Sequence, residues 1–374
     1  MEKQTELKKP DRLLSLDALR GFDMFWIMGG ENIIHALAQL TQWTLFIWLG
    51  TQMEHVEWNG FRFYDNIFPL FLFIAGVTMP FSLTRRMERG DSKSQLYAHI
   101  IFRGLLLVLL GFIYNDLLRF DFDNQRYASV LGRIGLAWMF AAIIFINTKT
   151  RGQIIWFSAI LLGYWAIMML VPVPGFGAGV LTKEGSLVGY IDRLFLPGRL
   201  YLTVHDPEGI LSAIPAIGTA LMGVLTGKFL KFKREDLAPI KKGIYILIAG
   251  IISISLGWIW NLAFPVNKNL WTSSFVLVAG GWSLVYLSIF YLIIDVWKYK
   301  KWAFFFIVIG LNPITIYLAQ AGMINFQSTT LYFFGGLLKS MPELWQNLFG
   351  VILYVGVSWL FLYFLYKKKI FLKV

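Results

Sequence analysis

The sequence predicts an all-α integral membrane protein, a polytopic bundle of about ten transmembrane helices with both termini on the cytoplasmic side. Composition is the first ground. Of 374 residues, 57% are hydrophobic and 15% charged, and mean hydropathy is +0.61, against about 45–50% apolar and 25% charged in soluble domains. A soluble fold of this length cannot hide so much apolar surface, so lipid must be its solvent. Aromatics reach 17%, with 15 Trp, as expected where rings sit at a membrane–water boundary. The second ground is a run of apolar segments, each near the length of about 20 residues that a span needs. The third is the charge of the loops between them.

Ten runs read as spans: 14–37, 63–83, 96–118, 127–146, 154–173, 209–230, 243–264, 270–296, 302–322 and 344–366. Two shorter runs, 43–49 and 331–338, read as interfacial or re-entrant pieces. With the N-terminus inside, the inner segments hold 23 of the 34 Lys and Arg and the outer segments hold 8. The remaining three, Arg20, Arg103 and Arg133, fall within spans. Every inner loop is basic, which sets the orientation and accounts for the net charge of +12 without nucleic acid. The N-terminal stub, residues 1–13, is polar and lacks a signal-peptide core. The chain reads as one domain, residues 1–374, without internal repeats. Its two long outer loops, 38–62 and 174–208, are the places to build an outward-facing site.

There is no cysteine, which excludes a disulfide framework, a thiolate metal site and a Cys nucleophile. The four histidines show no zinc-site spacing, so no metal is expected. Ionisable residues within spans cost about 2.5–3.5 kcal/mol on insertion scales and stand as functional candidates. On one continuous helix, Asp17, Arg20, Asp23, Glu31 and His35 fall within an arc of about 120°. That face lines a polar tunnel leading inward from Glu31, or pairs Asp17 with Arg20 near the inner interface. Arg103 and Asp116 sit near helix ends, where snorkelling explains them. Arg133, between Gly132 and Gly135, carries a planar fork suited to phosphate or carboxylate, or pairs with a partner such as Glu31.

Three outer clusters carry candidate chemistry. His55 lies in Glu54-His55-Val56-Glu57-Trp58-Asn59-Gly60, just before the second span and ahead of Asp65. A histidine at an outer mouth suits a general base or nucleophile near neutral pH, and flanking carboxylates can set its tautomer. An interfacial histidine beside a boundary Trp is the alternative. His205-Asp206-Pro207-Glu208-Gly209 precedes the sixth span, where helix capping is an equally good reading. Asn267-Lys268-Asn269-Leu270-Trp271 forms a short outer turn, and its one base can stabilise a developing oxyanion.

At these clusters the sequence resembles the heparan-α-glucosaminide N-acetyltransferase family, including bacterial transmembrane glucosamine N-acetyltransferase-like members. The carrying motifs, in family order, are Leu16-Asp17-Ala18-Leu19-Arg20-Gly21, His55-x-x-Trp58-Asn59-Gly60 with Phe68-Pro69, Val130-Leu131-Gly132-Arg133-Ile134-Gly135, Asp206-Pro207-Glu208-Gly209 and Val266-Asn267-Lys268-Asn269-Leu270-Trp271. They cover roughly Leu16 to Asn312. The resemblance implies acetyl transfer from cytoplasmic acetyl-CoA, a co-substrate, to the amino group of a glucosamine across the membrane. It implies His55 as the active-site histidine. Glu54, Glu57, Trp58, Asn59, Asp65, Asp206, Glu208, Asn267, Lys268 and Asn269 are then candidates to bind or support the acceptor. Arg20, Glu31, Arg85, Arg86 and Arg133 are candidates for acetyl-CoA. The family suggests a homodimer. Family members from lysosomes carry a large lumenal domain before this region; here a short stub stands in its place, and the segment before His55 is longer and more apolar. The stub and the lack of Asn-x-Ser/Thr point to a bacterial inner membrane. The rival readings are a secondary transporter of an amino sugar and a membrane O-acetyltransferase acting on a surface glycan.

Overall fold

The computed structural model describes residues 13–234 and 237–372. The polar stub lies outside the described residues except for Leu13, as do two residues of the basic loop before the seventh predicted span and the last basic residue, Lys373. The described residues form helices and no strand, with two isolated bridges, Arg126–Gly198 and Val173–Gly177.

In chain order the helices are α1 (Leu14–Phe25), α2 (Glu31–Thr41), α3 (Thr44–Gln52), α4 (Ile67–Glu88), α5 (Lys93–Tyr114), α6 (Val130–Asn147), α7 (Thr150–Leu170) and α8 (Leu187–Phe195). There follow α9 (Ala213–Lys231), α10 (Pro239–Trp260), α11 (Ser273–Phe290), α12 (Phe304–Gly310), α13 (Pro313–Leu318), α14 (Phe326–Lys339) and α15 (Glu343–Lys367). Caps mark several starts: the Ser129 hydroxyl accepts from Gly132 N–H, and Thr272 accepts from Phe275 N–H. Each satisfies a donor that the first turn leaves without a partner.

Among the described residues, eight helices are long and apolar enough to cross a membrane: α4 with its 3₁₀ lead-in, α5, α6, α7, α9, α10, α11 with its π-helical end, and α15. A ninth is counted if α12 and α13 with its extension, bent by 71°, form one broken span. This is a multi-pass membrane protein. The first predicted run, 14–37, is not among the spans. It is helical, but a π turn at Trp26–Gly30 breaks it, with Gly29 at φ +119°, and its charged residues lower its hydropathy. The single polar arc drawn for one straight helix is therefore divided: Asp17, Arg20 and Asp23 stand on α1, Glu31 and His35 on α2. The two short runs form α3 and α14, neither of them a candidate span.

Burial sorts the spans. Between 61% and 67% of the apolar windows of α4, α6, α9 and α11 is buried, against 28% for α5, α7, α10 and α15. The first four are the protein core and the second four present their apolar sides to lipid. Leu72, Ala137, Ala220 and Val276 meet in the core cluster. Backbones touch where α4 crosses α9: a Cβ on Gly76 would lie 2.2 Å from the Ala220 carbonyl, and one on Gly223 2.2 Å from the Phe73 carbonyl. Small residues at such crossings allow the close packing that holds helices together in lipid.

Candidate active site

The site forms where three irregular segments cover one end of the α4–α6–α9–α11 core. The first runs from His55 into α4. Asp65 sits in the 3₁₀ turn Phe63–Asn66 that leads into α4, where a carboxylate suits the unpaired amides and the helix dipole. Its Oδ2 accepts from Arg62 N–H at 3.0 Å and Val56 N–H at 3.4 Å. Its Oδ1 lies 2.8 Å from His55 Nδ1. The Asp65 side chain is fully buried and that of His55 is 50% exposed. With Asp65 ionised, Nδ1 carries the proton and Nε2 is left as the acceptor.

The second segment, between α10 and α11, brings Lys268. Its Nζ lies 2.9 Å from His55 Nε2, 3.0 Å from Nδ1 and 3.8 Å from Asp65 Oδ1. Since Nδ1 is already a donor to Asp65, the Lys268 ammonium donates to Nε2. Burial lowers the Lys268 pKa, and the Asp65 charge opposes that shift. Two contacts lock the loops in register: Gly60 N–H donates to the Val266 carbonyl at 2.8 Å, and Asn267 Nδ2 donates to Asn59 Oδ1 at 3.1 Å. Gly60 has φ +123°, a conformation that side chains with a Cβ rarely adopt.

The third segment, 171–212, contributes a charged clamp. Arg126 makes a bidentate pair with Asp206, Nε–Oδ2 2.8 Å and Nη2–Oδ1 2.7 Å. It also donates to Glu208 and stacks over Tyr201, 4.6 Å from the ring centre. Burial disfavours both charges of the Arg126–Asp206 pair, yet their contact outweighs it: Asp206 is held below the usual carboxylate range and Arg126 above its ordinary value. Behind the clamp, His205 and Asp192 are fully buried with Nδ1 and Oδ2 3.8 Å apart. Burial pushes His205 down to about 4 and Asp192 up to about 6.

These groups open into a cavity of about 540 Å³, within the range of small-molecule sites. Its mouth carries His55, Asp65, Lys268, Asn269, Arg126 and Glu208. Its depth is apolar, walled by Met24, Ile27, Phe68, Phe71, Leu131 and Ile314 among others, with the stacked pair Tyr114–Tyr317 on one side. The apolar wall suits a slender chain threading between helices, and the polar mouth is where a carbonyl, an amine and a base can meet.

Of the residues singled out by sequence, His55, Asp65, Glu57, Glu208, Lys268 and Asn269 line this cavity. Asp206 is fully buried beneath it, turned to Arg126. Trp58 and Asn59 are staples: Trp58 Nε1 donates to the Leu181 carbonyl at 2.8 Å, and Asn59 holds Asn267. Glu54 pairs with Arg62 at 3.3 Å. Glu31 hydrogen-bonds Tyr64, a lining residue. Arg133 is buried, 4.9 Å from the centre of the Trp271 ring, and donates to the Gly209 carbonyl and the Ser212 hydroxyl. It ties α6 to the start of α9 and does not line the cavity. Arg20 reaches the Gly310 carbonyl and Asp17. Arg85 and Arg86 occupy the far end of α4, some 30 Å from Asp65 at the rise of a helix, and Arg86 pairs with Asp91 at 3.0 Å. The structure adds Arg126, Tyr64, Tyr114, Tyr201 and Tyr317 to the site. Arg126 and Asp206 stand 80 positions apart, and nothing in the sequence pairs them. Among the described residues no group of three or more His, Cys, Asp or Glu side chains is placed to hold a metal.

Fold and site together define a multi-pass membrane protein with a carboxylate-oriented histidine and a lysine at the mouth of a cavity between helices. Heparan-alpha-glucosaminide N-acetyltransferase of Homo sapiens is 29% identical over 427 aligned residues, covering 98% of this chain and 60% of that protein. The protein of the same name from Mus musculus is 30% identical over 374, covering 86% of this chain and 56% of its own length. No family model matches the chain. The two similarities support membership of the chain in the heparan-alpha-glucosaminide N-acetyltransferase family. The chain spans less than two thirds of the length of these relatives.

Proposed function

We propose that this protein transfers an acetyl group from cytoplasmic acetyl-CoA to the amino group of a glucosamine or glucosaminide held on the opposite side of the membrane. The observation that carries this reading is the His55–Asp65–Lys268 cluster at the mouth of the apolar cavity. The pantetheine arm threads the cavity and brings the thioester to His55. The nucleotide stays at the basic inner end, to which we assign Arg20, Arg85 and Arg86. Lys268 must leave Nε2 for the chemistry to begin, and a displaced ammonium is then free to face the thioester oxygen.

An amine attacks only when neutral, so a base is needed. His55 Nε2 takes a proton from the acceptor's ammonium while Asp65 holds the imidazole and stabilises the imidazolium. The amine nitrogen then bonds to the acetyl carbon. The carbonyl π pair moves to oxygen, where Lys268 stabilises the charge. Collapse of this adduct breaks the C–S bond and the proton already on His55 passes to the departing thiolate; His55 then takes the second proton from the nitrogen and releases it to solvent. The products are the acetamido sugar and CoA thiol. Glu57, Glu208 and Asn269 are left to bind the sugar.

The test is CoA release from purified protein supplied with acetyl-CoA and glucosamine. His55→Ala abolishes it while the variant elutes from size exclusion as the parent does. Near-parental turnover by that variant overturns the assignment. Incubation with radiolabelled acetyl-CoA and no acceptor separates the two chemical routes: label that stays on the parent but not on His55→Ala means that Nε2 itself carries the acetyl group.

A further inference from the structure

A second, larger cavity of about 1080 Å³ opens between α2, α14 and α15, separate from the charged mouth. Amides dominate its polar lining: Asn32, Gln320, Gln327, Gln346 and Asn347. Tyr354 is on its wall, and Glu343 is the one carboxylate in its lining, which holds no Lys, Arg or His. Gln320 is fixed, its Nε2 donating to the Met28 carbonyl at 3.1 Å and to Tyr354 Oη at 2.9 Å. Asn347 reaches across to α2, donating to Gln39 at 2.9 Å. Amides gain nothing facing hydrocarbon, so this groove holds water or a polar ligand. Primary amides both donate and accept, which matches the mixed needs of sugar hydroxyls. No Lys or Arg is present to hold sulfate, phosphate or a phospholipid headgroup, and Glu343 repels them.

The groove also lies on the appropriate side. Glu343 begins α15, whose far end packs against α12 through Tyr366 and Phe304. The start of α12 and the start of α1, where Asp295 accepts from Leu14 and Ser15 N–H, occupy the end of the bundle opposite His55. The mouth of the groove therefore shares the His55 end. Ile27, on the π turn that breaks α1 from α2, lines both cavities. One polar groove thus adjoins the acceptor's end of the reactive cavity.

We infer that this amide-lined groove binds an uncharged, hydroxyl-rich saccharide chain, and that it holds the remainder of an oligosaccharide acceptor. Its role as an acceptor subsite rests on the acetyltransferase reading, whereas saccharide binding does not. Gly350 lines the groove, and a Cβ there would meet nothing within 4 Å. Gly350→Phe therefore projects a ring into the groove from a position where its Cβ meets no neighbour, and improves helix propensity besides.

The probe is N-acetylchitotetraose, neutral and rich in hydroxyls, titrated calorimetrically into the full-length protein in nanodiscs. The parent binds it; Gly350→Phe and Gln346→Ala each weaken binding at least tenfold. A heparin tetrasaccharide, sulfated throughout, does not bind at this groove. Unchanged affinity for the neutral probe in both variants overturns the inference. So does a sulfated probe, or a co-purified phospholipid seen by native mass spectrometry, whose binding Gly350→Phe removes. Turnover gives the second arm. Gly350→Phe leaves kcat and KM for monomeric glucosamine unchanged and raises KM at least tenfold for a chitotetraose that carries one free amine, on its terminal reacting sugar, and acetamido groups on the other three. A KM that rises for neither substrate overturns the subsite role. Absence of turnover by the parent overturns the enzymatic reading and leaves the calorimetric result standing on its own.

Discussion

At the scale of single residues, the site centres on one imidazole and the two groups that fix it. Asp65 is the clearest case. It is fully buried, accepts two backbone N–H groups and meets Nδ1 at 2.8 Å, so its function is to set tautomer and ring orientation. Asp65→Asn keeps the shape but offers an amide that also suits the wrong tautomer. Turnover is expected to fall by up to about 10⁴-fold, the loss seen when an orienting carboxylate becomes its amide elsewhere. KM for acetyl-CoA should change little. Initial-rate measurements over both substrates check this; a large KM effect with kcat intact would assign Asp65 to binding. Lys268 was legible in the sequence as the one base of its turn. His55 was legible through its motif and its place before a span. Arg126 was not, since only folding brings it to Asp206. Trp58, Asn59 and Asn267 read from their motifs as residues that bind or support the acceptor, and in the fold they connect loops. A motif marks residues that a site requires without separating those that touch substrate from those that brace the ones that do.

At the scale of elements, the loop 171–212 decides how the mouth responds to acid. The His205–Asp192 pair lies buried behind the clamp, and the two groups pull in opposite directions. His205 is pushed from its ordinary value down to about 4. The unfolded chain thus binds a proton that the folded one refuses, and stability is lost as pH falls through that interval. Asp192 is raised to about 6. The folded chain takes up its proton first, so this group contributes stability at low pH that is lost as pH rises toward 6. In the parent the two effects offset across roughly pH 4 to 6. Asp192→Asn removes one of them and exposes the other: its melting temperature should fall more steeply than the parent's from pH 6.5 to 4. Asp192→Asn with His205→Gln should restore a shallow profile. Thermal unfolding followed by intrinsic tryptophan fluorescence across that range is the check, and identical slopes in parent and Asp192→Asn would refute it. The eight spans were readable from apolar run length because lipid imposes that length directly. The break in the first run was not, because a π turn with Gly29 at positive φ leaves no mark on hydropathy.

At the scale of the whole molecule, the proposed transfer depends on direction across the membrane. An acetyl-CoA supply on one side and an amino sugar on the other require His55 and Arg85 to face opposite compartments. Helix geometry separates them, since α4 carries Asp65 just before one end and Arg85 near the other. The sides are an expectation drawn from loop charge. The inner segments carry most of the basic residues, and short basic loops stay on the cytoplasmic side. Pairing of helix ends is compatible with this, for α1 starts where the π-helical end of α11 finishes, at Asp295. The chain offers a direct test because it contains no cysteine, so a single introduced thiol is the only one present. Glu57 and Arg85 are exposed, one in a loop and the other near a helix end. Glu57→Cys in intact cells should react with a membrane-impermeant maleimide, and Arg85→Cys should react only after the membrane is opened. Labelling in the reverse order would invert the topology and put the His55 mouth on the acetyl-CoA side. The tunnel would then have no barrier to cross, and transmembrane transfer would fail as a mechanism even if acetyl transfer itself survived.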